Sequence, residues 1–278
     1  MRNVRAACIQ MRSGVEIAPN VEAASVLIRQ AAGEGAELVA TPEMTGCLDI
    51  RPGQMSAKLH READDPALAT FRALARDLGI FLLVGSLAIS LDGEPRAANR
   101  SFLLGPDGAI LARYDKIHMF DVDVADGQTY RESRAYRPGT RAVLARTDLA
   151  SIGVTICFDL RFPALYRRLA QAGADILTCP AAFTRVTGEA HWHTLLRARA
   201  IETGSFLLAP AQGGRHEDGR ETFGHSLIVS PWGQVLAEAD HDTPGVILAD
   251  LDLAAVADAR RRIPALNDTV FKGPDPEI

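Results

Sequence analysis

Cysteine is scarce in this chain of 278 residues. There are four, at positions 8, 47, 157 and 179, with no Cys-x-x-Cys pair. That excludes a disulfide scaffold and a dithiol redox centre. Long apolar runs are missing as well. The longest, Ile80 to Ile89, is about half of the ~20 residues a membrane helix needs. No apolar leader segment follows Met1, so the expected location is the cytoplasm. Basic excess is also absent: 30 Lys and Arg stand against 35 Asp and Glu, a net charge of -5. Nothing in that balance recommends nucleic acid or an anionic membrane as partner. Gly33-Glu34-Gly35 lacks the third glycine and the preceding strand of a dinucleotide loop. His191-x-His193 offers only two histidine ligands, which is weak evidence for a metal, so none is expected. No cofactor is implied. Repeats, low-complexity tracts and Pro/Gly/Ser linkers are absent too, and 1–278 reads as one domain.

What is present is an ordinary globular composition, 47% hydrophobic and 23% charged. Strand-like and helix-like segments alternate. Val4 to Ile9 is a first apolar run. The stripe Val21, Ala24, Ile28 and Ala31 predicts a helix capped by Asn20 and stopped by Gly33. Glu37 to Ala40 is a short strand that runs into Thr41-Pro42-Glu43. Asp65, Pro66 and Gly79 bracket a second helix. Asn99 to Leu104 and Ala109 to Tyr114 form a hairpin around Gly105-Pro106-Asp107-Gly108. Asp115 to Gly139 has no period, and a loop of that length is commonly functional. Ile152 to Phe158 alternates, with Ile152, Val154, Ile156 and Phe158 on one face and Cys157 among small residues on the other. A helix opened by Pro163, a strand Asp175 to Cys179 and a helix from about Glu189 to Thr203 follow. Trp192, Leu195, Leu196 and Ala200 are its core stripe.

Cys157 is the most informative residue. It closes an apolar strand just before a turn and a helix, where α/β proteins present reactive groups. A buried structural thiol is the plain alternative, and it is the reading for Cys8, Cys47 and Cys179. Two other strand ends carry complementary groups. Glu43 follows one strand directly, and Lys116 follows the hairpin in Tyr114-Asp115-Lys116-Ile117-His118. An acid, an ammonium and a thiol are together what a nucleophilic hydrolase needs, because a free thiol is only a few per cent thiolate at neutral pH.

In order along the chain, Pro42-Glu43-Met44, Tyr-Asp-Lys116-Ile-His and Cys157-Phe-Asp-Leu-Arg-Phe-Pro resemble the three signature motifs of the nitrilase superfamily of carbon–nitrogen hydrolases. The resemblance extends from the first strand to Ile263-Pro264-Ala265-Leu266. It implies an α/β fold, a four-layer α-β-β-α sandwich, paired as a homodimer or higher homo-oligomer. It also implies an amidase that works through a cysteine thioester. Cys157 attacks the amide carbonyl, and Glu43 takes the thiol proton and returns it to the leaving amine. For that double duty the carboxyl is expected to titrate nearer neutrality. Lys116 and the Phe158 N–H hold the oxyanion. Glu132, a few residues before Pro138-Gly139, matches a further acid of the family that orients Lys116 or the amide. The plain alternative is a surface ion pair with its flanking arginines.

Further stretches look like the Nit-type amidases, which comprise the omega-amidases and the deaminated glutathione amidases. They include Asp121-Val122-Asp123-Val124, Arg161-Phe162-Pro163, Pro180 to Thr184 and Thr187 to Trp192. Ala211 to Arg220, followed by Gly224-His225-Ser226, leans to the second group. The implied substrate is a small anionic amide of a 2-oxo diacid, with Arg161 as carboxylate partner unless Asp159 claims it. Phe183 and Thr187 line the pocket, and Arg215 or Arg220 meets a second carboxylate. The alternatives are an omega-amidase on 2-oxoglutaramate, another amidase or N-carbamoyl hydrolase, a non-catalytic interaction protein, and a thiol redox sensor.

Overall fold

Two sheets face each other in the structure, a computed structural model that describes residues 3–51, 53–124 and 129–267. The first sheet runs Gly245–Asp252, Asn3–Gln10, Leu38–Ala40, Phe81–Leu91, Glu94–Leu104, Ile110–Asp115, with His60–Arg61 beside Phe81–Leu91. The second runs Val235–Glu238, Leu227–Val229, Phe206–Ala209, Ile176–Thr178, Ser151–Val154, Val143–Arg146. Asn3–Gln10, Leu38–Ala40 and Phe81–Leu91 are mutually parallel, as are Ser151–Val154, Ile176–Thr178 and Phe206–Ala209; His60–Arg61 also runs parallel to Phe81–Leu91, and the remaining neighbours are antiparallel. Parallel neighbours need a crossover, and a helix supplies each one. Helices α1 (Ile17–Gly33) and α2 (Pro66–Leu78) serve the first sheet. Helices α3 (Pro163–Gln171) and α4 (Arg185–Thr203) serve the second, and α5 (Ala254–Arg262) follows the last strand.

The layering follows from the period of two in the strands. Ala7 and Ile9 pack outward on Ile28 of α1 and Phe71 of α2. Ala6 and Cys8 face inward and share a core with Ile152, Ile176 and Leu207 of the other sheet. Trp192, Leu196 and Ala200 of α4 and Tyr166 of α3 close that core from the far side. The result is the expected α-β-β-α sandwich.

Several local expectations change. Helix α1 begins at Ile17, a turn before the predicted start, so Asn20 lies inside it and caps nothing. Its Nδ2 instead donates to the Gly14 and Gly46 carbonyls at 2.8 and 3.0 Å, tying two loops together. Helix α2 matches in full: the Asp65 side chain accepts from the Leu68 N–H, and Gly79 ends it at φ 65°. The hairpin strand begins at Glu94 and pairs with Phe81–Leu91 as well as with Ile110–Asp115, because a tight turn joins Leu91 to Glu94. Helix α4 starts at Arg185, not Glu189. The strand expected to alternate through Phe158 stops at Val154. Cys157 takes a left-handed φ of 48°, which breaks the alternation, so Phe158 leaves the core face.

Gly85 shows how tightly the site is held. A Cβ there would lie 2.0 Å from the Thr41 carbonyl oxygen and 2.4 Å from that of Pro42. Backbone cannot yield as a side-chain tip can. Gly85→Ala is therefore expected to cost about 3 kcal/mol or more, read by denaturant unfolding. A loss under 1 kcal/mol would show that this approach is not tight.

Candidate active site

The parallel strands of both sheets end at one edge of the sandwich, and the three predicted groups meet there. Glu43 follows Leu38–Ala40 and is 4% exposed. Its loop is fixed locally. Thr45 Oγ1 donates to the Pro42 carbonyl at 2.6 Å, and the Gly85 N–H donates to Thr41 Oγ1 at 3.0 Å. Lys116 follows Ile110–Asp115 and is 2% exposed, held by its N–H on the Asn99 carbonyl. Cys157 opens a 3-10 turn, Cys157–Arg161, directly after the second-sheet strand.

The turn at Cys157 has a definite anchor. Asp159 is fully buried, and its Oδ2 accepts from the Ile156 N–H at 2.9 Å and from the Tyr114 hydroxyl at 2.7 Å. Its Oδ1 accepts from the His118 N–H at 3.1 Å. A left-handed cysteine costs roughly 1–2 kcal/mol, and these bonds hold it in place. Asp159 is thereby fully engaged. It forms no pair with Arg161, so the ion-pair alternative for Arg161 falls away.

Lys116 Nζ bonds Glu43 Oε1 at 2.9 Å and both oxygens of Glu132 at 2.9 and 2.8 Å. Glu132 is therefore no surface ion pair. It sits on a turn after Thr129–Arg131, and its Oε2 also accepts from the Phe120 N–H at 2.7 Å. Two further partners were not anticipated from the sequence. Asn99 Nδ2 donates to Glu43 Oε1 at 2.9 Å and to Glu132 Oε1 at 3.1 Å. The Ala182 N–H donates to Glu43 Oε2 at 2.9 Å. Asn99 is the first residue of the predicted hairpin strand, and nothing in its local sequence marked it as part of the site.

The electrostatics separate the three groups. Burial pushes the Glu43 carboxyl up, but the Lys116 charge and hydrogen bonds from Lys116 and Cys157 more than reverse this, leaving it below its ordinary range. The expectation of a carboxyl poised near neutrality is thus corrected for the free chain. Burial and the adjacent Glu43 charge push the Cys157 thiol well up. Burial opposes the Lys116 charge, and Glu132 and Glu43 overcome that and hold the ammonium firmly protonated. At rest the proton belongs to sulfur and the negative charge to Glu43.

A cavity of about 600 Å³ opens onto Glu43, Lys116, Glu132 and Cys157. Phe158, Phe183 and Thr187 line it as expected, together with Tyr130, Tyr136, Arg51, Arg131 and Arg220. Arg161 stands outside the lining. Its guanidinium lies 5.9 Å from the Phe158 ring centre and 5.1 Å from that of Phe183. It makes no ion pair among the described residues, and burial lowers its pKa. Arg215 is exposed and not part of the wall. Arg220 is in the wall: Nη2 donates to the Ala182 carbonyl at 2.8 Å, and its buried Nε has no partner among the described residues. Arg51 is occupied by Asp49, and Arg131 by Asp123 and two carbonyls.

The other cysteines are free and buried. Cys179 lies beside the Cys157 turn, its thiol 3.8 Å from the Cys157 carbonyl oxygen and pushed up to about 12 by burial. Such a thiol is a poor resolving partner, which weakens the redox-sensor alternative.

Known proteins resemble this chain in sequence and in fold. The carbon-nitrogen hydrolase family pattern matches residues 5–261. A deaminated glutathione amidase of Synechocystis sp. is 40% identical, over 98% of this chain and 100% of that protein. The C. elegans NitFhit protein superposes with a TM-score of 0.88 at 32% identity, covering 96% of this chain, which spans 65% of that one. An amidase from Nesterenkonia sp. AN1, with the acetamide moiety of fluoroacetamide added covalently at its active-site cysteine, superposes at 0.78 with 27% identity, over 93% of this chain and 94% of that one.

Proposed function

The chain belongs to the carbon–nitrogen hydrolase family and is a hydrolytic amidase, and from that premise we propose that Cys157 is its nucleophile and deaminated glutathione its substrate. Cys157 attacks the amide carbonyl as Glu43 accepts its proton. Lys116 and the Phe158 N–H receive the developing oxyanion. As Lys116 turns to that oxyanion, Glu43 loses its counter-charge and burial raises its pKa, so the proton passes to the departing amine. Water, deprotonated by Glu43, then releases the acid from the thioester. Glu132 and Asn99 hold Lys116 and Glu43 in register throughout.

The observation that carries the substrate reading is Arg220, a guanidinium in the cavity wall that makes no ion pair among the described residues. The substrate has a carboxylate at each end. Arg220, in the cavity wall, is assigned to the terminal carboxylate of the cysteinylglycine part; Arg161, outside the wall against the Phe158 and Phe183 rings, is assigned no direct substrate contact. The cavity volume falls in the range that encloses drug-sized ligands, more than a substrate releasing bare ammonia requires. The relatives named deaminated glutathione amidase point the same way. We expect kcat/KM for deaminated glutathione to exceed that for 2-oxoglutaramate at least tenfold. Arg220→Gln should reduce that ratio about ten- to a hundredfold, since a charge-assisted bond contributes roughly 1.5–3 kcal/mol. A tenfold preference for 2-oxoglutaramate would install the omega-amidase reading instead.

The assembly reading is a homodimer of one-domain chains in the cytoplasm. Ile201 on α4 and Trp232 are 51% and 60% exposed, and Gly233 packs on Ile201. Ile201 on the outer helix and Trp232 in the turn before Val235–Glu238 are large apolar side chains left exposed, which supports pairing with a second copy. Among the described residues no helix is long and apolar enough to cross a membrane. The four unpaired thiols fit a reducing compartment.

A further inference from the structure

His193 finds its ligand-bearing neighbours outside its own helix. It projects from α4 toward His225, in the bend between Glu221–Phe223 and Leu227–Val229, and toward Glu238, which ends Val235–Glu238. Glu238 Oε1 lies 2.6 Å from His193 Nε2 and 3.3 Å from His225 Nδ1. One ligand atom from each of the three falls within 4.8 Å of the other two. The side chains are between 24% and 37% exposed, so the cluster is reachable from solvent yet held.

We propose that His193, His225 and Glu238 form a zinc-binding site. Two imidazole nitrogens and one carboxylate oxygen are a donor set that zinc accepts, with a fourth position left to water. Donors around a tetrahedral ion with bonds of ~2.0 Å lie about 3.3 Å apart. The His225–Glu238 separation already has that value, and the His193–Glu238 hydrogen bond would open slightly. The imidazole centres are 5.7 Å apart and inclined at 69°, so both nitrogens can converge on one ion without stacking.

The rings are also preset. His225 is held at φ 54°, outside the ordinary region for its residue type, and stacks on Phe223 at 4.2 Å between ring centres. Its carbonyl accepts from Trp192 Nε1 at 2.8 Å, which ties the bend to the same helix that carries His193. Preset ligands lose little freedom on binding an ion. The cluster joins α4 to a segment 45 residues away in sequence, so an ion there acts as a cross-link between the outer helix layer and the second sheet. It shares no residue with the cavity and makes no demand on the amide chemistry.

The test is a calorimetric titration of Zn²⁺ into the untagged chain carrying Cys157→Ser, which removes the cavity thiol as a competing ligand. One ion per chain is expected, with a rise in Tm at saturation because only the folded chain presents the three ligands together. His225→Asn, which tolerates a left-handed backbone without offering an imidazole, should weaken binding at least about tenfold, and so should Glu238→Gln. Both should abolish the Tm rise. Titrating Co²⁺ should give the absorption of a tetrahedral nitrogen and oxygen site without thiolate charge transfer. Zinc affinity unchanged in either variant, or a thiolate band with Co²⁺, would overturn the assignment and leave the cluster as a carboxylate bridging two histidines by hydrogen bonds.

Discussion

Cys157→Ala is expected to remove turnover by a factor on the order of 10⁴ or more, because no other group at the strand ends can form the acyl intermediate. The expectation rests on position. Cys157 lies at the C-terminal end of a parallel strand, in a left-handed turn anchored by Asp159, with its sulfur against Glu43 and the cavity. Alanine at φ 48° carries a backbone cost similar to that of cysteine, so the variant should fold with an unchanged Tm. Loss of activity then reports chemistry and not collapse. With a slow amide substrate, mass spectrometry should find the acyl group on wild-type chain at residue 157 and nothing on the variant. Cys8 and Cys179 are fully buried, and the Cys47 thiol is turned to the Val15 carbonyl with no carboxylate hydrogen-bonded to it among the described residues. Turnover persisting in the alanine variant would end the thioester mechanism.

The groups legible in the sequence were those whose spacing is local. Glu43, Lys116 and Cys157 each directly follow a strand that its own pattern reveals, and their order along the chain carried the family resemblance. What the sequence did not show are contacts made across layers. Asn99 bonds two acids 56 and 33 residues away, and Ala182 reaches Glu43 over 139 residues. No window of sequence contains such a pair. Asp159 was visible only as a rival partner for Arg161, because its bonds to Tyr114 and His118 come from the other sheet's strand end. The misplaced helix starts have a different cause. Asn20 is a good helix-entry signal, but its side chain is taken by the Gly14 and Gly46 carbonyls and α1 begins at Ile17, while α4 begins right after Thr184, ahead of the apolar stripe that marked it. The protonation state was also invisible, since it depends on how many charges converge on one carboxylate and not on the carboxylate itself.

That protonation state yields a pair of shifts of opposite sign. In the resting chain Glu43 is anionic and Cys157 a thiol, so kcat/KM should fall in acid only as Glu43 gains a proton, below the usual carboxylate range. Glu43→Gln removes the base and should slow acylation about 10²–10⁴-fold. It also removes a negative charge beside the sulfur. Burial still holds the thiol up, but less than before, so the Cys157 pKa should fall relative to wild type and its alkylation by iodoacetamide should begin at lower pH. Lys116→Met works the other way. It removes an oxyanion donor, for an expected loss of roughly 10²–10³-fold, and takes away the positive charge that both neighbours rely on. Burial then prevails at Glu43, whose pKa should rise and carry the acid limb of kcat/KM upward with it. The thiol should rise further too, so its alkylation should begin at higher pH than in wild type. Alkylation profiles that move in the same direction in both variants, or rates within a few-fold of wild type, would show that these side chains do not share one proton with Cys157. Opposite movements would establish that the thiol, the carboxylate and the ammonium titrate as a single unit, with the charge of Lys116 deciding when the proton crosses from sulfur to Glu43.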